Sequence, residues 1–158
     1  MRTSAGGPPI TSNDYIGDNS SSAWIGPDNS DVLDGPVGAY VYRTTFNLMG
    51  FDPSTATITG GWSSDNAGVS IFLNGVDTGN PPTNFIQFAM GFAPFSITGS
   101  FVPGINTLDF TVNNGGGPTA LRVEMTGTAV PVPVPGAVVL AGMGLGFAGW
   151  RLRRHRAL

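Results

Sequence analysis

The chain has 158 residues, of which 24 are Gly and 13 are Pro, with no Cys and a single His. So much Gly and Pro disfavours a helical bundle and suits short strands joined by tight turns. The missing thiol and the lone His155 exclude a disulfide framework, a cysteine-ligated zinc and a Ser/His/Asp triad within one chain. All ten acids lie before residue 125 and four of the seven arginines after residue 150, a distribution unlike that of a nucleic-acid binder, which spreads positive charge over its recognition face.

Taken in chain order, residues 1–11 read as a disordered or truncated leader, because MRTSAGGPPIT lacks the apolar run of a signal peptide. Residues 12–126 are expected to form one domain. Its early stretch scatters Asp14, Asp18, Asp28, Asp31 and Asp34 among Asn, Ser and Gly. Two readings stay open there: a structural calcium held by Asp28, Asp31 and Asp34, with the surroundings of Asp109 and Glu124 as a second place for one, or solvated, turn-forming aspartates. Trp24 either plugs one end of the domain or faces a ligand.

From Tyr40 onward the periodicity is two. Tyr40, Tyr42, Phe46 and Leu48 share one face; Val69, Ile71 and Leu73, then Leu108, Phe110 and Val112, then Leu121, Val123 and Met125 do likewise. Arg43, Asp109, Arg122 and Glu124 are expected outside. Ala56–Trp62 and Pro94–Phe101 add strands, and Trp62 continues the apolar face set by Ile58. Asn74-Gly75 suits a type I′ hairpin and Pro103-Gly104 a type II turn. With no convincing amphipathic helix, the pattern predicts an all-β fold, an antiparallel two-sheet β-sandwich.

Two kinds of chemistry are worth weighing in such a body. A sugar is held by stacking on an aromatic beside hydroxyl-binding Asp and Asn, and the loop residues Trp24, Asp65, Asn66 and Asn84 are the set that fits. Glycoside hydrolysis needs a carboxyl with a raised pKa opposite a second acid. Glu124 alternates outward and no Asp sits in an apolar context that would raise its pKa, so catalysis is not expected.

Residues 127–135 read as a stiff Val-Pro linker, and 136–158 as an apolar helix with a basic end. The uncharged run Gly136 to Trp150 would span roughly 22 Å as a helix, a marginal crossing that snorkelling arginines extend.

Here the residues carry a resemblance. VPVPVP, a short Gly-rich apolar segment and a terminal arginine cluster resemble the PEP-CTERM class of bacterial sorting signals, closest to its V-P-L-P-A variant. Val132, Pro133, Val134 and Pro135 stand at the motif, and Arg151, Arg153, Arg154 and Arg156 form the basic stop. Val134 stands where the parent signal has Glu, and Gly136 replaces the variant's alanine. The resemblance implies export in a Gram-negative bacterium and processing by an exosortase. It further implies tethering to the inner membrane through the C-terminal helix, then delivery to the surface or extracellular matrix. It also implies that the chain's beginning is incomplete, since such proteins start with a signal peptide.

A second resemblance covers about 45 residues. The LNG hairpin (Leu73, Asn74, Gly75), the P-G-x-N-T-L turn (Pro103, Gly104, Asn106, Thr107, Leu108) and the strand finishing in Val112-Asn113 look like galactose-binding-like jelly rolls. That implies a carbohydrate-binding or bracing module, and the sorting-signal resemblance, whose carriers are exopolysaccharide-making bacteria, implies exopolysaccharide as the carbohydrate partner. The alternative is a structural or adhesive surface protein without a small-molecule ligand.

Overall fold

The computed structural model describes residues 15–27 and 35–133. The described residues form seven strands and one short helix: β1 (Gly38–Asn47), β2 (Phe51–Asp65), β3 (Ala67–Leu73), β4 (Val76–Asp77), α1 (Gln87–Met90), β5 (Ala93–Ile97), β6 (Ile105–Asn114) and β7 (Ala120–Pro131). They make two antiparallel sheets, ordered β1-β6-β3-β4 and β5-β2-β7. The expected two-sheet, all-β architecture is present. The expected C-terminal helix lies outside the described residues.

Alternation builds the core. Tyr42 on β1, Ile71 and Leu73 on β3, and Leu108, Phe110 and Val112 on β6 meet Ile58 and Trp62 on β2, Phe95 and Ile97 on β5, and Leu121 on β7. The Phe110 ring bridges the sheets, 5.7 Å from both Trp62 and Phe95. Gly68 makes room for this: a Cβ there would stand 2.5 Å from the Trp62 ring.

Turn chemistry behaves as read. Asn74 and Gly75 both have positive φ, 52° and 80°, and Gly104 takes φ 80°. The buried Asn106 ties these turns together. Its carbonyl accepts from the Val102 N–H at 2.9 Å and from the Asn74 amide at 2.8 Å, and its own amide donates to the Val102 carbonyl at 2.8 Å and the Gly104 carbonyl at 3.0 Å.

Several expectations need correction. Val69 does not join Ile71 and Leu73, because the register of β3 against β6 shifts between Gly68 and Ser70; the bulge turns Val69 outward and gives Gly68 the inward position. Asp109 faces outward yet is buried, because Arg43 forks onto both its oxygens at 2.7 and 2.8 Å. Arg122 is also buried, for a reason given below. Phe46, Val123 and Met125 are only partly covered, Met125 being 45% exposed. The strand expected over 94–101 ends at Ile97. Finally, β7 runs through 127–131, residues placed in the linker by sequence: the long β2 offers a partner that far, and Pro131 is tolerated at a strand end.

Candidate functional site

The outer face of the three-stranded sheet is covered at one end by a strap, residues 15–25, and by the segment around α1. Local polar chemistry shapes the strap. The Asn19 side-chain Oδ1 accepts from the Ser21 and Ser22 N–H groups at 2.7 and 2.9 Å, and the Asp18 carboxylate accepts from the Trp24 N–H at 3.0 Å. Ile25 then bridges to Leu121 on β7.

Trp24 is 1% exposed. Its indole N–H donates to the Ile16 carbonyl at 2.9 Å, and its ring meets Tyr15 edge-on at 5.4 Å, while Tyr15 stacks on Phe88 at 4.5 Å. Trp24 is buried rather than open to a ligand, and it seals the strap on the outer face of the sheet rather than an end of the core.

Arg122 lies beneath the same strap. It donates to Ser22 Oγ at 2.8 Å, to the Ile16 carbonyl at 3.1 Å and to the Gly17 carbonyl, and its guanidinium sits 5.2 Å from the Phe92 ring centroid. Ser22 Oγ donates onward to Glu124 at 2.7 Å, where the Asn19 amide also donates at 2.8 Å. These bonds, with Arg122 nearby, hold the Glu124 carboxyl below its ordinary value. Arg122 thus points out of the sheet as alternation requires and is buried by what packs on it afterwards.

Asp65, at the end of β2, accepts from the Tyr15 hydroxyl. Burial pushes its carboxyl up from 3.8 to about 6. The expectation that no aspartate occupies such a context is corrected here: the apolar cover comes from Tyr15 and its neighbours, fifty residues away.

The four residues expected to bind sugar do not converge on one open site. Trp24 and Asp65 share the sealed cluster through Tyr15. Asn66 braces another loop, accepting from the Gly115 N–H at 2.8 Å. Asn84 is exposed and turns back on its own segment, accepting from the Ile86 N–H at 3.1 Å.

Asp28, Asp31 and Asp34, expected as calcium ligands, lie outside the described residues, as do Val134, Pro135, Arg151, Arg153, Arg154 and Arg156 of the sorting motif. Val132 and Pro133 are described. Asp109 and Glu124 stand on the outer faces of opposite sheets, and each already has partners. Among the described residues no group of three or more acidic or histidine side chains could hold a metal.

Depressions are also present among the described residues. A shallow one of about 540 Å³ is lined by Ser21, Thr59, Glu124 and Thr126. An apolar cleft of about 380 Å³ lies between β1 and the β2–β7 pair, lined by Phe46, Leu48, Phe51, Ile58, Phe101 and Met125. Sequence reasoning missed this cleft; the partial burial of Phe46 and Met125, both assigned to the core face, is its signature.

Comparison with protein-family models, with curated proteins and with solved structures finds no match to this chain.

Proposed function

We propose that the chain is an exported surface β-sandwich of the jelly-roll type, without catalytic activity, held at a membrane by a PEP-CTERM-like C-terminal segment and serving a structural or adhesive role. The observation that carries this reading is the fate of Trp24. The aromatic best suited to stack on a sugar is consumed inside the strap cluster, while the exposed surface carries apolar side chains at both ends and threonines on the sheet faces. The membrane part rests on the uncharged run Gly136 to Trp150 and the arginines after it. That segment lies outside the described residues, among which no helix is long and apolar enough to cross a membrane.

The exosortase-type processing enzyme remains the proposed partner for the tail. A structural calcium on the early aspartates is retained as a proposal as well, tested by calcium-dependent thermal shift of the full chain.

A second reading, exopolysaccharide binding, is favoured by one observation: the shallow groove presents the hydroxyls of Ser21, Thr59 and Thr126 beside a fixed Glu124 carboxylate. Co-sedimentation of the intact chain with neutral and acidic exopolysaccharide separates the two. The structural role predicts no saturable binding up to about 1 mM, the weak end for a sugar site. Saturable binding lost in Thr126→Ala would replace it with the second reading.

A further inference from the structure

Exposed apolar side chains occur at both ends of the sandwich, with Val37, Phe85, Ile86 and Met90 at one and a second group at the end where the described chain stops. Met49 and Phe51, in and after the β1–β2 turn, are 75% and 39% exposed; Val102, in the turn before β6, is 42% exposed; Val130 and Val132, at the end of β7, are 57% and 52% exposed. Register places them together. Phe51 pairs with Pro131 and Asp52 with Val130, the Val132 N–H donates to the Gly50 carbonyl at 2.8 Å, and the Leu48 N–H donates to the Gly104 carbonyl at 2.8 Å. The apolar cleft adjoins this rim through Phe51, Leu48 and Phe101.

The same end releases the chain toward Gly136 to Trp150. From Val132 to Gly136 there are four residue steps, a reach of at most roughly 14 Å. The headgroup layer of a leaflet is roughly 5–8 Å thick. A sandwich tethered so closely cannot keep this end far from the lipid, and the tether supplies a high effective concentration for an otherwise weak contact.

We infer that this rim, centred on Met49, Phe51, Val102 and Val132, seats on the lipid bilayer surface beside the tail. The inference rests on the proposed membrane role of the tail. The contact is apolar in origin. The described arginines lie elsewhere: Arg43 is mid-strand in β1 and Arg122 is beneath the strap, whereas Asp52 is at the rim itself. The bonds from Ser54 keep the Asp52 carboxyl ionised to lower pH than usual. Seating therefore does not require anionic lipid and weakens as anionic lipid is added.

The test uses the full chain, which has no cysteine of its own, reconstituted into phosphatidylcholine vesicles. Single cysteines replace Met49 or Val102 on the rim, Val37 at the opposite end and Leu145 within the tail, each carrying an environment-sensitive NBD label. The inference expects blue-shifted emission at Met49→Cys and Val102→Cys, quenched at least about twofold by headgroup-proximal nitroxide lipid, with Val37→Cys unaffected. If the Leu145→Cys label is quenched while the rim labels behave like Val37→Cys, the seating is wrong and the tail reading survives. If Leu145→Cys is not quenched either, both are wrong. A rim blue shift that grows with protein concentration and ignores the nitroxide would assign the rim to a second copy of the chain and overturn the inference.

Discussion

At the scale of single residues, burial of polar groups decides the measurable properties. Asp65 carries a carboxyl whose folded value, about 6, stands above the ordinary 3.8. The folded chain therefore holds that proton more tightly than the unfolded one, and this contribution to stability is complete below about pH 4 and is lost as pH rises through about 6. Asp65→Asn should remove that falling limb from a urea-midpoint profile while keeping an acceptor for Tyr15; a profile unchanged by the substitution would contradict it. Glu124 and Asp52 act in the opposite sense, since their lowered values give stability that is lost as pH falls below the usual carboxylate range. Packing supplies a second check. Gly68→Ala pushes a methyl into the Trp62 ring and should cost on the order of 1–3 kcal/mol by chemical denaturation. Phe110→Ala, which empties the bridge between the sheets, should cost about 3–5 kcal/mol.

At the scale of elements, the strap is the unit whose role was least visible in advance. Trp24→Ala should cost about 3 kcal/mol and increase hydrogen exchange at the Ile25 and Leu121 amides, because the ring fixes the strap against β7. A loss under about 1 kcal/mol, the size of a surface change, would show the strap to be dispensable. The strands themselves were legible, since Leu108, Phe110 and Val112 on β6 alternate cleanly and Asn74-Gly75 and Pro103-Gly104 demand their turns. The bulge at Val69 was not, because it is specified by how β3 meets β6 and leaves no mark in a period of two. Nor was the burial of Arg122. Alternation correctly turns it off the core face, but its cover comes from Ile16, Gly17 and Ser22, about a hundred residues earlier. The residues expected to bind sugar are dispersed for the same reason: Trp24, Asp65, Asn66 and Asn84 are near turns, but each has a partner that no local pattern announces.

At the scale of the whole molecule, the described strands end at Pro131, before the apolar run Gly136 to Trp150 begins. The last backbone bond tying the tail to the sheets among the described residues is from the Val132 N–H to the Gly50 carbonyl. Residues 127–131 belong to β7, so removing them would open the sheet; a cut placed after Pro133 spares every described strand. The central claim, a self-sufficient sandwich tethered by its C-terminal segment, is tested most directly by vesicle flotation of the full chain beside a chain ended at Pro133. The full chain should float with the vesicles. The shortened one should stay in the soluble fraction with its strand-type circular dichroism intact, because the untethered rim contact is too weak to hold it. Flotation of the shortened chain, loss of its strand spectrum, or failure of the full chain to float would contradict the account.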